Sequence, residues 1–150
     1  MEQLALFPLE RAKREIRLCD ALHALHGLVL TDGDILELTQ LRAKALKAAG
    51  RVEFGGGILP KLIRAFCDSP YVDRENYVSV LAELQDAFYY FKSDSGDRFS
   101  DDDLIEFMKT LFNGRAEGSV ELLATISLEE LCYWARNDGL VPNTGEEDWL

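Results

Sequence analysis

Apolar residues recur every three to four positions along nearly the whole chain, the period of an α-helix with one buried face. From Leu9 to His26, the residues Leu9, Ala12, Ile16, Cys19, His23 and His26 form a stripe, widened by Leu18, Leu22 and Leu25. Gly27 then supplies a helix stop. A second helix starts at Thr31, where Thr31 and Asp34 stand at capping-box spacing, and runs through strong helix formers to Ala49 and the stop at Gly50. A short helix from Pro60 to about Cys67 begins with proline in the first turn, where its missing N–H is no loss. Asp68-Ser69-Pro70 breaks the pattern.

The next run, from about Asp73 to Lys92, carries Tyr77, Val80, Leu81, Leu84, Phe88 and Phe91 at helical spacing. Residues 93–100 read as a loop. Ser100 caps a further helix whose apolar face includes Leu104, Ile105, Met108, Leu111 and Phe112, and which ends at Asn113-Gly114. Two shorter helices are expected near Ser119–Thr125 and Ser127–Asn137, the latter with Ser127 and Glu130 as a capping box. Beyond Gly139 the Gly/Pro/Asn/acid composition predicts a frayed tail over about 140–150. With no repeat and no linker, the pattern predicts one compact all-α domain spanning 1–150, of about six to seven helices. Alternation at Arg51–Phe54 allows at most one short extended segment, near 51–54.

One segment departs from packing logic. Arg51-Val52-Glu53-Phe54 leads into Gly55-Gly56-Gly57 and then Ile58-Leu59-Pro60-Lys61, with Arg64 a turn later. Glycines lose more backbone freedom on folding than any other residue, so three in succession imply a conformation that other residues resist. At least one of them is expected to adopt positive φ. Free N–H groups at a helix start, approached closely through glycine and flanked by Arg51, Lys61 and Arg64, are suited to an anion or small ligand. The segment is not a phosphate-binding loop, since no Gly-Lys-Ser/Thr follows, nor a dinucleotide fingerprint. A tight turn serving only the fold is the favoured explanation.

Length and composition narrow the function classes. The chain has 150 residues, 47% hydrophobic and 29% charged, enough for a core and far from the disordered regime. No apolar run is long enough to span a bilayer, and the start lacks the pattern of a signal peptide, so a soluble cytoplasmic protein is expected. The net charge is −11 and uneven: residues 1–64 hold ten Lys/Arg against eight Asp/Glu, residues 65–150 only six against nineteen. Such an acidic half repels phosphate backbones, which disfavours nucleic acid and instead suits solubility or the steering of a basic partner.

Other constellations have structural explanations at hand. Cys19, His23 and His26, at i, i+4 and i+7, project from one helical face and are potential zinc or copper ligands, but their face is otherwise apolar; no metal and no cofactor is expected. Three scattered cysteines make no disulfide framework. Residues 92–103 resemble a calcium loop only in outline: Lys92 falls where the first carboxylate is needed, and the acids suit a capped first turn better. Cys67-Asp68-Ser69 lies near the glycines without a visible base, and no nucleophile–base–orienter set emerges. The tail Gly145-Glu146-Glu147-Asp148-Trp149-Leu150 combines acids and an aromatic, as a docking motif would.

The run from Arg51 through Gly55-Gly56-Gly57 to Ile63, followed by Phe66-Cys67-Asp68-Ser69-Pro70-Tyr71, resembles a small family of bacterial proteins from the Firmicutes catalogued as a domain of unknown function. The spacing to Glu83–Lys92 and to Ser100–Ile105 is similar too, and the likeness covers about residues 10–136. It implies a bacterial cytoplasmic protein and carries no activity or catalytic residue with it. The expectation is a non-enzymatic module that acts on an unknown protein partner, without nucleic acid or membrane. The alternative is a small-ligand or anion-binding protein, or an enzyme, with its site at Gly55–Gly57.

Overall fold

The helical period is realised in a computed structural model that describes residues 2–53 and 57–128, with side chains over 10–53 and 57–125. Among the described residues there are seven α-helices and no strand. They are α1 (Glu2–Arg17), α2 (Asp20–His26), α3 (Asp32–Ala49), α4 (Leu59–Phe66), α5 (Tyr77–Asp94), α6 (Asp101–Asn113) and α7 (Val120–Leu122). A π-helical turn, Leu123–Leu128, continues α7.

Helix α5 is the hub: it packs most extensively on α3 and also touches α4, α6 and α7. Its sequence accounts for that position. Tyr77, Leu81, Leu84 and Phe88 fill the predicted stripe, while Gln85, Ala87 and Tyr89 are buried beside it, so most of its circumference is covered. Helix α4 contributes Leu59, Leu62, Ile63 and Phe66, all fully buried, and Phe66 meets Phe112 of α6 edge to face. Helix α1 lies against α3 and α4, placing Ala12 and Ile16 in the core.

The caps follow the sequence closely. The Thr31 hydroxyl accepts from Asp34 N–H at 3.0 Å and the Asp34 carboxylate accepts from Thr31 N–H at 2.9 Å, completing the capping box of α3. Ser100 Oγ accepts from Asp103 N–H at 3.1 Å. Gly27 and Gly50 close α2 and α3 in the left-handed conformation.

Four boundaries differ from the pattern. Helix α1 starts at Glu2 and continues through Pro8, although a proline inside a helix forfeits one backbone hydrogen bond. The predicted helix 9–26 is interrupted at Leu18–Cys19, where Cys19 N–H bonds Ile16 C=O, an i→i−3 bond that tightens the turn. The stripe Ala12, Ile16, Cys19 and His23 crosses this point unbroken, but Leu18, Leu25 and His26, expected on it, are exposed. A helix lying on its neighbours buries only a limited arc, and these three fall outside it. Helix α5 begins at Tyr77 rather than Asp73, because the Asp73 carboxylate accepts from the N–H groups of Glu75 and Asn76 and holds the chain in a turn. The break expected between Thr125 and Ser127 is replaced by the continuous π-helical turn. The Ser127–Glu130 cap, the rest of that helix and the tail lie outside the described residues.

Candidate functional site

Two regions compete for the role of functional site, and they are built differently. The first is the glycine segment. Residues 51–53 lead away from α3 without regular structure, and Gly57 returns with φ 59°. The expectation of a positive-φ glycine is therefore met at Gly57; Phe54, Gly55 and Gly56 lie outside the described residues. Beneath Gly57 the carboxylate of Glu53 accepts from Arg42 Nε at 2.9 Å and, on the same Oε1, from the Tyr89 hydroxyl at 2.5 Å. Arg42 and Tyr89 are buried, and the Glu53 side chain is only 16% exposed. A β-carbon on Gly57 would stand 1.9 Å from Glu53 Oε1 and 2.7 Å from Arg42 Nη2. Glycine is thus required twice, by its backbone angle and by the closeness of a buried ion pair. Burial, and then the hydrogen bond to Glu53, pushes the Tyr89 phenol well above its usual pKa, so at neutral pH it acts as a proton donor in a hydrogen bond and not as a phenolate.

The predicted basic residues of this segment go to different places. Arg51 Nε donates to Ser93 Oγ at 3.0 Å, and its Nη2 pairs with the Asp97 carboxylate. Lys61 Nζ bonds Asp102 Oδ1 at 2.8 Å. Arg64 is exposed and shares a shallow concavity of α4 and α6 with Lys61, Lys109, Asp102 and Glu106. Lys61 and Arg64 are brought together; Arg51 and Gly57 do not line that concavity. Of the acids in residues 92–103, Asp97 and Asp102 are held in these pairings, and Lys92 bonds Phe99 C=O and pairs with Asp101.

The remaining sequence candidates take up packing positions. Cys19 and His23 are buried whereas His26 is exposed, which corrects the expectation that all three project from one face. Among the described residues no group of three His, Cys, Asp or Glu side chains is placed to hold a metal ion. His23 Nε2 and the Tyr77 hydroxyl lie 2.8 Å apart inside the core, and His23 Nδ1 has no hydrogen-bond partner. Burial lowers the His23 pKa, and it raises the Cys19 and Cys67 thiols, so neither cysteine is a ready thiolate. Ser69 Oγ donates to Asn113 Oδ1 at 2.6 Å and accepts from Tyr71 N–H, holding the turn after α4.

The second region centres on Tyr90. Neighbouring positions 88, 89 and 91 are buried, but Tyr90, near the C-terminal end of the molecule's central helix, is 58% exposed. It separates two hollows that share Tyr90 and Asp86 as a common wall. One, about 440 Å³, has a floor of Ala45, Ala48 and Ala49 from α3, with Ser93 and Asp94 at its end. The other, about 430 Å³, lies between α5 and α7, over Ala87, Phe91, Val120 and Ala124, with Glu83 and Glu121 at its edge. No lysine or arginine is among the described residues lining either hollow. Partial burial raises the Asp86 carboxyl above its usual pKa, although the residue stays exposed on the surface.

Sequence reasoning missed Arg42, Glu53, Tyr89 and Tyr90, although signals existed. Arg42 stands on the stripe Ile35, Leu38, Ala45, the one cation on an apolar face. Tyr90 is an aromatic off the stripe defined by Leu84, Phe88 and Phe91.

The fold and these two regions define a small all-helical domain with a closed polar knot under one turn and an open, acid-edged face. It belongs to the family of unknown function DUF6323, whose model matches residues 15–140. No curated protein and no solved structure matches the chain. None of the described helices is long and apolar enough to cross a membrane.

Proposed function

We propose that this chain is a non-enzymatic protein-interaction module of the cytoplasm, with its contact face on α5. The observation that carries the reading is Tyr90: a large aromatic, more than half exposed, set between two hollows floored by apolar side chains. Tyrosine presents much contact area at little entropic cost and is enriched where proteins meet. The chemistry elsewhere supports the same reading. The buried thiols and phenols have raised pKa values, and His23 is committed to Tyr77, so these groups do not make an activated nucleophile.

The alternative, a small anion bound near the glycine segment, keeps one observation in its favour, away from Gly57 itself: Lys61, Arg64 and Lys109 line one concavity of α4 and α6. Against it, Asp102 already occupies Lys61 and Asp97 occupies Arg51. Quantitative affinity capture with the parent, Tyr90→Ala and Arg64→Ala chains, alongside thermal shift in phosphate, separates the two. The interaction reading expects a bound protein lost with Tyr90→Ala, kept with Arg64→Ala, and no stabilisation by phosphate. Phosphate stabilisation that disappears with Arg64→Ala would overturn it.

A further inference from the structure

The face around Tyr90 carries information about its occupant as well as its existence, and the inference below rests on the interaction reading. Its floor is apolar: alanines from α3 and α5 and the aromatic rings of Tyr89, Tyr90 and Phe91. Alanine floors leave room for larger side chains to descend, as they do where a helix lies in a groove. Its edge is of one sign. Glu83, Asp86, Asp94 and Glu121 come from α5 and α7, without a lysine or arginine among the described lining residues. Asp86 stands in the shared wall, so a charge there faces both hollows.

We propose that the two hollows flanking Tyr90 seat a cationic amphipathic helix of another protein, its apolar side chains over the alanine floors and its Lys/Arg groups against Glu83, Asp86 and Glu121. Charge complementarity selects that occupant. Residues 65–150, which supply α5 and α7, carry nineteen acids against six bases. The chain's own residues 126–150 are no match for the edge, with six acids and a single arginine. A second copy would bring its own acidic edge into contact, and like charges facing each other across an interface oppose binding. A basic helix gains twice, through apolar contact and through relief of the carboxylates' mutual repulsion. Electrostatic steering would make its association fast and salt-sensitive.

The test uses the full chain and a synthetic amphipathic Leu/Lys peptide of roughly 18 residues, long enough to hold a helix on binding. A Leu/Glu peptide of the same pattern is the control. Isothermal titration should show saturable binding of the Leu/Lys peptide alone. Affinity should fall by at least about tenfold with Tyr90→Ala, as for an aromatic anchor. It should fall further as salt rises from about 0.1 M to 1 M, which shortens the screening length about threefold. The pair Glu83→Gln with Asp86→Asn should weaken binding and flatten the salt dependence, which mere loss of packing would not do. Tyr90 is exposed, so circular dichroism should show its variant folded. Binding of both peptides alike, binding indifferent to Tyr90 and the carboxylates, or no binding would overturn the basic-helix assignment. So would a dimer abolished by Tyr90→Ala, since a second copy would then hold the face. If those results came with a natural partner captured through Tyr90, the interaction reading would stand and only the partner class would fall.

Discussion

At the scale of single residues, Gly57 is the clearest link from sequence to structure. A run of three glycines is conspicuous, and the positive φ it foretold is present. The reason it is needed was not legible, because Arg42, Glu53 and Tyr89 come from three separate parts of the chain. Gly57→Ala should cost more than the roughly 1–2 kcal/mol of a left-handed alanine, since the β-carbon also strikes the buried Glu53–Arg42 pair. Urea unfolding of the parent and variant measures this; a neutral substitution would contradict the account. Truncating Glu53 removes a buried counter-charge of Arg42 and the acceptor of the Tyr89 hydroxyl, so Glu53→Ala should destabilise the fold, by at most about 3–5 kcal/mol.

His23 makes a second residue-scale prediction. Burial depresses its folded pKa, with Arg17 and His26 adding and Asp20 opposing. The unfolded chain, near 6.5, then binds a proton before the folded one does. The contribution is fully present above about pH 6.5 and is lost as pH falls through the lower, folded value. Stability of the parent should decline from pH 7 to 5 more steeply than that of His23→Gln, read by chemical denaturation at each pH. Equal slopes would mean that His23 titrates normally.

At the scale of elements, periodicity and caps located most helices because both are local. Thr31–Asp34, Gly27 and Gly50 act within a turn or two of their own positions. Thr31→Ala should cost about 1 kcal/mol, the usual worth of a cap. What failed was arc and register. The pattern of 9–26 shows a wide apolar stripe, but how much of it is covered depends on α3 and α4, which sequence spacing does not reveal. Asp73 likewise reads as a helix-start residue, whereas its carboxylate bonds Glu75 and Asn76 and delays α5 to Tyr77. Helix α5 carries one poorly satisfied position. Gln85 is buried, its Nε2 reaches Leu38 C=O at only 3.5 Å, and its Oε1 has no hydrogen-bond partner. Gln85→Met keeps the volume and removes that polar atom, so thermal unfolding should show a neutral or raised Tm. A marked fall would reveal that the amide is satisfied.

At the scale of the whole molecule, charge and exposure divide the surface by purpose. Two of the basic residues flanking the glycines, conspicuous in sequence as an anion site, are matched by acids: Arg51 by Asp97 and Lys61 by Asp102 at the start of α6. Each acid is more than forty positions from its base, so the matching was hidden. The acidic excess of the second half was visible from composition, but the placing of four of its acids beside an exposed tyrosine emerges only when α3, α5 and α7 are assembled. The closed knot under Gly57 and the open face at Tyr90 therefore give the account its central claim: the glycine turn serves the fold, and binding belongs to α5. Amide chemical-shift mapping tests both halves at once. On titrating the ¹⁵N-labelled chain with the Leu/Lys peptide, shifts should concentrate at Ala45–Ala49, Glu83–Asp94 and Val120–Thr125, leaving Gly57–Arg64 unmoved. Shifts gathered at Gly57–Arg64, or spread evenly over the acidic surface, would contradict it.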